Sequence, residues 1–103
     1  MGRPLDQLEQ GDFTPHVGTT FRLQRPQGDP LELVLVEVNA HSYLPAQAGR
    51  RQGFSLTFRC AEPRPVPQAI YRLDHDQMGT LEVFVVPLGP HQGGGMRYEA
   101  VFN

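Results

Sequence analysis

The chain has 103 residues, a formal net charge of −2 and a hydrophobic fraction of 39%, values that are typical of a globular domain and exclude a largely disordered chain. Its nine basic residues are all Arg and form no run longer than Arg50-Arg51, which argues against a nucleic-acid partner. One cysteine and the lack of any apolar run near ~20 residues exclude a disulfide framework and a membrane helix, so we expect a cytoplasmic protein without a membrane partner.

The length predicts a single domain over residues 1–103, with residues 1–12 loosely attached. Residues 5–13 are the only stretch with helical character, because Leu5 and Leu8 lie three residues apart. They predict at most one short helical turn at the N-terminus.

Two strands and a loop are predicted next. Residues 19–24 alternate polar and apolar side chains and predict the first strand. The Pro, Gly and Asp content of residues 25–30 predicts a loop. Residues 31–39 carry Leu side chains on one face and Val side chains on the other. Apolar residues on both faces predict a central strand that is covered from both sides.

The middle of the chain predicts a long loop, a third strand and a connector. Residues 41–53 are polar and contain Pro and Gly, so they predict the longest loop. Residues 54–59 alternate Phe or Leu with Ser, Thr and Arg, which predicts a strand with one solvent-exposed face. Residues 61–67 hold three prolines and predict an extended, semi-rigid connector.

The last third of the chain predicts three more strands. Residues 69–73 predict a short strand at the edge of the sheet, because prolines come just before it. Residues 81–86 are mostly apolar, and residues 96–102 alternate apolar and polar side chains. Prolines and three consecutive glycines between these two strands allow the chain to reverse. We expect this closing hairpin to be integral to the core.

The number and spacing of these strands predict the fold class. Six short strands, joined by segments that hold most of the 11 Gly and 10 Pro residues, predict an all-β, antiparallel fold. A small barrel and a small sandwich of about six strands both fit this pattern. Periodicity does not decide between them.

Asp74, His75 and Asp76 are the most suggestive residues for a metal site, because carboxylate oxygens and imidazole nitrogens are metal ligands. Successive residues of an extended chain point to opposite sides, however, and no His or Cys pair elsewhere has the spacing of a zinc site. Asp is also common in turns because it bonds nearby backbone N–H groups. We therefore predict a turn here, with no metal and no cofactor.

No catalytic residues are predicted. Ser55 stands in GFSLT, which lacks the second glycine of G-x-S-x-G and lies within a predicted strand. The glycines at 93–95 precede a strand and the chain has no Lys, so they predict a flexible hairpin loop and not a phosphate loop. Cys60 has no base beside it, since Arg59 is expected on the opposite face, and this predicts a buried, inert thiol.

A scattered set of Arg and Tyr residues is the best candidate for surface or ligand contacts. Arg can pair with charged groups and Tyr can stack on rings, and a barrel can use such residues to bind an oligonucleotide or a sugar. The acidic balance of the chain makes solvated loops the favoured interpretation. The set comprises Tyr43, Arg50, Arg51, Arg64 and Tyr71.

Several stretches of the chain resemble an uncharacterised family of small bacterial all-β proteins, known as a domain of unknown function. The matching stretches are FTPHVGTTFRL near the start, FSLTF in the middle, and IYRLDH, GTLEVFVVPLGP and MRYEAVFN towards the end. They run from residue 13 to residue 103, nearly the whole chain. The resemblance implies a compact β fold without a known activity or catalytic residues. It also implies an assembly role, linked to a phage-tail-like assembly.

The absence of a recognisable catalytic, metal or phosphate site predicts a non-enzymatic module that docks on another protein. Residues 62–67 and the loops at 41–53 and 88–95 would supply rigid and adaptable surfaces around the sheet. An edge at residues 69–73 could accept a partner strand.

Two other function classes stay open at this point. The first is a β-barrel that binds a small ligand or a glycan in a cleft lined by Tyr43, Tyr71 and Arg residues. The second is an enzyme whose site a single sequence does not reveal. The oligomeric state also stays open.

Overall fold

The computed structural model describes residues 8–40 and 53–102. The described elements are the helix α1 (Gln10–Phe13), a 3₁₀ turn (Thr14–His16) and the strands β1 (Thr20–Leu23), β2 (Leu31–Ala40), β3 (Phe54–Cys60), β4 (Ala69–His75), β5 (Gly79–Pro90) and β6 (Met96–Phe102). These strands close into an antiparallel barrel in the order β1-β2-β3-β6-β5-β4. The structure confirms the predicted all-β class with one short N-terminal helix, and of the two predicted architectures it forms the barrel.

Inward-facing side chains of the six strands fill the barrel. Along β6, Tyr98, Ala100 and Phe102 are buried, whereas Val101 between them is exposed. An eight-stranded barrel is only just wide enough for side chains to fill it, so a six-stranded barrel has a packed interior. The strand residues that share this interior are Phe21, Leu23, Leu31, Leu33, Leu35, Phe54, Leu56, Phe58, Cys60, Leu73, Leu81, Val83, Val85, Met96, Tyr98, Ala100 and Phe102.

The segment that contains α1 closes one end of the barrel. Phe13 is fully buried, and its ring centroid lies 5.8 Å from that of Phe54 and 5.3 Å from that of Phe102. Leu8 is buried in the same core. Within the stretch that we expect to be loosely attached, residues 1–7 lie outside the described residues.

Local capping explains why a helix as short as α1 forms. The backbone N–H of Glu9 donates to the carboxylate of Asp12 at 2.7 Å, which completes a capping box at the start of the helix. Pro15 is the second residue of the 3₁₀ turn, where its missing N–H leaves no helical bond unmade. No helix of the described residues is long and apolar enough to cross a membrane.

The prediction that β2 is covered from both sides is wrong. Leu33 and Leu35 point into the barrel, but Val36 on the other face is 45% exposed. A barrel has a single interior, and the outer face of β2 is left exposed at Val36. The pairing of β2 with β3 also shifts between Leu35 and Glu37, which leaves Val36 and Glu37 both exposed. Val34 and Val36 reflect the preference of β-branched side chains for strands and not a second covered face. Val38 lies beyond the shift, pairs with buried Leu56 and packs against the core.

The prediction that β4 is an edge strand is wrong for the strand as a whole. β4 pairs with β5 along its entire length and with β1 at Leu73 and Asp74. A barrel removes sheet edges by closing, and the prolines that suggested an edge end at Pro67, before the strand begins. Within the described ranges, however, the first residues of β4 have no strand partner on the β1 side.

The glycines at 93–95 form the hairpin between β5 and β6. The backbone N–H of His91 donates to the carbonyl oxygen of Gly95 at 3.0 Å. Gly95 has a φ of +82°, and a Cβ there would collide with the carbonyl oxygen of Cys60. A strand and not a helix follows these glycines, so they lie in a hairpin between two strands, as predicted.

Candidate functional site

The wall of the barrel is open where β1 meets the first half of β4. Direct pairing of the two strands is limited to Arg22↔Asp74 and Leu23↔Leu73. One more hydrogen bond runs from the backbone N–H of Gln24 to the carbonyl oxygen of Arg72 at 2.9 Å. We call this short stretch of pairing the β1–β4 seam, and it ends at that bond. Beyond it, the chain leaves the barrel in the loop that leads to β2.

A cavity of about 760 Å³ occupies the opening. One wall is the loop of residues 24–27, and the other consists of residues 66–67 of the connector and residues 69–72 of β4. We call this cavity the seam groove. Its volume lies within the range of roughly 300–1,000 Å³ that is usual for binding sites.

The backbone of Ile70 faces the seam groove. In an antiparallel sheet, successive residues direct their N–H and C=O groups alternately to the two neighbouring strands. The carbonyl group of Arg72 bonds to Gln24, so that of Ile70, two residues earlier, points to the same side and away from β5. In the part of the chain that the structure describes, no backbone group of the facing loop bonds to Ile70. Ile70 therefore presents an open strand edge.

Exposed apolar side chains continue from this edge across the outer wall of the barrel. Ile70 is 68% exposed and lies opposite Phe84 of β5, which is 48% exposed. Val85 pairs with Ala100, so the same register places Phe84 opposite Val101 of β6, which is 44% exposed. We call Ile70, Phe84 and Val101 the outer apolar row. Facing side chains on neighbouring strands are close enough to touch, so the row forms one apolar surface.

The charged residues that line the seam groove are both basic. Arg72 keeps 57% of its side chain exposed and lies 3.5 Å from the carboxylate of Asp74. Arg25 donates from Nε to the carbonyl oxygen of Asp29 at 2.7 Å, which leaves its two terminal NH₂ groups for other partners. No Asp or Glu belongs to the lining residues, so the groove is positive within a chain of net negative charge.

Of the predicted contact residues, the structure brings Tyr71 into the seam groove. The Tyr71 hydroxyl donates to the carbonyl oxygen of Pro67 at 2.6 Å and so holds the connector against β4. Burial raises the pKa of this hydroxyl. Arg64 lies in the exposed connector and does not line the groove. Three further predicted contacts lie outside the described residues: Tyr43, Arg50 and Arg51.

The side chains of Asp74 and Asp76 have separate partners. The carboxylate of Asp74 accepts hydrogen bonds from the side chains of Gln24 and Thr80, both at 2.8 Å. Asp76 pairs with Arg22 at 3.0 Å and is largely exposed. Within the described ranges, no three His, Cys, Asp or Glu side chains are arranged to hold a metal ion. The two carboxylates brace the seam and the turn.

Both ring nitrogens of buried His75 are bonded. Nδ1 accepts from the backbone N–H groups of Gln77 at 3.1 Å and Met78 at 3.2 Å. Nε2 lies 2.9 Å from the hydroxyl of Thr19, which itself donates to the carbonyl oxygen of His16 at 2.6 Å. The Nε2–H therefore donates to Thr19, and the ring is neutral. Burial, and next the neighbouring His16, lower the pKa of His75.

Cys60 is buried in the barrel interior, whereas Arg59 beside it is exposed on the outer face. Burial raises the pKa of the Cys60 thiol above its ordinary value, so the thiolate needed for nucleophilic attack is suppressed. The thiol is buried, as predicted.

A protein-family model described as Domain of unknown function (DUF6916) matches residues 8–102. The chain belongs to this family. The match extends from the N-terminal segment to the end of β6, so the DUF6916 domain comprises the complete barrel. It confirms the resemblance to an uncharacterised family. No curated protein matches the chain, and no solved structure matches it.

The sequence pattern did not reveal the outer apolar row of this DUF6916 domain. Ile70 and Phe84 each stand beside other apolar residues, so alternation did not show which of them faced outward. Pro26 is the residue from which the sequence could have indicated the opening between β1 and β4. Continuing the β1–β4 register past Leu23↔Leu73 would place Pro26 opposite Ile70, and a proline has no N–H to donate there. The seam cannot extend through that position as a regular ladder.

Proposed function

We propose that this protein is a non-enzymatic, cytoplasmic interaction or assembly module that docks on another protein through the seam groove and the outer apolar row. The observation that supports this most directly is the apolar surface shared by Ile70, Phe84 and Val101 on three adjacent strands. Contiguous exposed apolar surface beside polar residues is typical of sites that bind other proteins.

The energetics of burial support the same surface. Fully burying a Phe or Ile side chain contributes about 1.5–3 kcal/mol relative to full exposure. Ile70 is 68% exposed and Phe84 48% exposed, so a partner can still gain roughly half of that from each. An exposed aromatic side chain beside a groove is also the usual kind of anchor at a protein interface. The assembly role that the family resemblance implies makes a component of a phage-tail-like assembly the first partner to test.

The second candidate function is a barrel that binds a small ligand or a glycan. The volume of the seam groove and the position of Tyr71 within it favour this alternative. Two observations argue against this alternative and so favour protein docking. The barrel interior is packed with side chains, and the Tyr71 hydroxyl is already bonded to the carbonyl oxygen of Pro67.

Affinity purification of the tagged protein from its native cell, followed by mass spectrometry, tests the proposal. The wild type is compared with the double variant Ile70→Ser/Phe84→Ser and with Val36→Ser. Val36 is 45% exposed and lies on β2, three strands from β5 in either direction around the barrel. Exposed substitutions usually change the free energy of unfolding by no more than about 0.5 kcal/mol, and thermal melting checks this for each variant.

We expect a reproducible protein partner with the wild type and with Val36→Ser, and its loss with the double variant. A partner retained equally by all three proteins would contradict docking at this surface. No partner, together with a stabilising hit in a thermal-shift screen of glycans and metabolites, would support the small-ligand alternative.

A further inference from the structure

We propose that the partner occupies the seam groove as an extended, acidic segment that adds a strand to the open edge of β4. This inference rests on the proposed interaction function and specifies the chemistry of the partner. Three features of the groove support it: the unpaired backbone of Ile70, the apolar groups around it and the two Arg side chains that line it.

The backbone of β4 is the first feature. The N–H and C=O groups of Ile70 point into the groove, and Pro26 stands where a continued β1 would pair with them. Unpaired strand edges are sites where a segment of another chain can add. Arg72 is already bonded to Gln24, so the open part of β4 is residues 69–71. These residues span roughly 10 Å at the rise of a β-strand, which is long enough for about three added residues.

The apolar groups are the second feature. Successive side chains of an added strand point to opposite faces. On the outer face they would lie beside Ile70, which continues into Phe84 and Val101. On the other face they would meet Val66 and Tyr71, both half-buried in the groove. Alternate positions of the segment therefore favour apolar side chains.

The positive charge of the groove is the third feature, and it favours a segment that carries negative charge. Arg25 and Arg72 line the groove without a lining carboxylate, and each guanidinium has N–H donors besides those in its contact with Asp29 or Asp74. A carboxylate on the incoming segment would accept those donors in a charge-assisted hydrogen bond. Two copies of this chain, joined through the same edge, would bring four Arg side chains together, and this repulsion disfavours self-association there.

A library of random linear 12-residue peptides, displayed on phage and selected against the full chain, supplies the probe. We expect selected sequences in which Asp or Glu flanks alternating apolar residues. The dissociation constants of the synthesised peptides are then measured for the wild type and for a matched pair of variants. Ile70→Ala removes the side chain and keeps the N–H, whereas Ile70→Pro removes the N–H as well.

Proline is compatible with this position because the N–H of Ile70 takes no part in the ladder with β5. We expect Ile70→Pro to bind about tenfold more weakly than Ile70→Ala, the effect of one lost backbone hydrogen bond. Equal affinities of the two variants would overturn strand addition. Thermal melting verifies that both variants fold.

A peptide scan keeps the inference testable even if Ile70→Pro does not fold. Peptides that carry one N-methyl group at successive positions are measured against the wild type. Strand addition predicts weaker binding at every second position, because alternate N–H groups of an added strand point to β4. A scan without this alternation would overturn the inference.

The charge of the segment is tested with Arg25→Gln/Arg72→Gln and, as a control, Arg97→Gln on the exposed face of β6. The double variant is expected to weaken binding and to reduce its dependence on salt, and the control to change neither. Equal salt dependence of all three proteins would overturn the acidic partner.

The outcomes of these experiments distinguish a failure of strand addition from a failure of the proposed docking function. If no peptide is selected and partner capture does not depend on Ile70 and Phe84, the proposed function itself fails. If capture depends on these residues but the proline pair and the N-methyl scan show no effect, only strand addition fails.

Discussion

β3 and β6 pair along the whole of both strands, whereas β1 and β4 pair only at Leu23↔Leu73 and the pair before it. The first interface carries stacked core aromatics, such as Phe54 and Phe102 with centroids 4.7 Å apart. The second borders the seam groove. The difference indicates that a complete ladder and aromatic packing together close the β3–β6 side of the barrel, whereas the β1–β4 side leaves backbone groups of β4 unpaired.

Deleting residues 98–103 is expected to cause the largest loss of stability, because it removes most of β6 from the side of the barrel where β3 and β6 pair. The deletion removes Tyr98 and Phe102 from the core and takes a strand partner from both β3 and β5. Losing two large buried aromatics costs about 6–10 kcal/mol, comparable to the whole stability of a domain, about 5–15 kcal/mol. We expect no cooperative thermal transition by circular dichroism. A transition as sharp and as high as that of the full chain would contradict an integral β6.

A single methyl group tests the hairpin on the same side. Gly95→Ala combines a positive φ with a collision against the carbonyl oxygen of Cys60 in β3. Gly94→Ala is the control, because φ there is +100° but the space around it is open. We expect a loss of about 1–2 kcal/mol for Gly94→Ala and a clearly larger loss for Gly95→Ala. Urea denaturation measures both, and equal losses would contradict the close approach.

Acidification tests the far end of the β1–β4 seam, where His75 bonds to Thr19. His16, Asp76 and Arg22 face the His75 ring, and its pKa in the folded protein is lowered chiefly by burial. Below about pH 6.5 the unfolded chain binds a proton that folded His75 resists, so the free energy of unfolding falls as the pH decreases towards the lower, folded pKa. Above pH 6.5 this contribution is fully present.

Urea denaturation between pH 7.5 and pH 5.5 measures this fall. His75→Gln should remove most of the pH dependence, whereas His91→Gln, in the hairpin between β5 and β6, should leave it in place. An unchanged slope in His75→Gln would exclude His75 as its source.

The smallest expected effect concerns single amide protons at the open edge. The N–H of Tyr71 points to β5, whereas that of Ile70 points into the seam groove. Amide hydrogen exchange measured by NMR should therefore be slow at Tyr71 and fast at Ile70. Pro26→Thr restores an N–H that can donate to the carbonyl oxygen of Ile70, so we expect this new amide to exchange slowly, with a stability change within about 1 kcal/mol. Equal protection of Ile70 and Tyr71 in the wild type would show that the edge is closed.

The sequence was sufficient to predict the strands but not the way in which they join. Phe54, Leu56 and Phe58 alternate with polar residues, and such a pattern is local, so β3 was predicted within a residue of its observed bounds. Barrel closure depends on pairing Leu23 with Leu73, fifty residues away, which leaves no local mark. The apolar residues on both faces of β2 were misleading for the same reason. The sequence of a strand does not show whether its sheet closes into a barrel with a single interior.

The candidate site was predicted less well than the fold. Tyr71 was among the predicted contacts and lines the seam groove, and residues 69–73 were expected to offer an edge. The prediction placed that edge along a strand at the border of a sheet. In the structure the edge is the first half of β4, which pairs with β5 on one side and has no strand partner on the other. Ile70 and Phe84 were missed because both phases of their strands are apolar, and only the three-dimensional pairing shows which phase faces solvent.

The connector has a kinetic consequence. The hydroxyl of Tyr98 accepts a hydrogen bond from the backbone N–H of Val66 at 3.2 Å, and that of Tyr71 donates to the carbonyl oxygen of Pro67. Two tyrosines therefore hold this wall of the groove before any partner arrives. A pre-organised surface loses little conformational entropy on binding, so association needs no slow rearrangement of the barrel. Its rate constant should fall in the ordinary range of about 10⁵–10⁷ M⁻¹s⁻¹, and Tyr98→Phe, which frees Val66, should lower it.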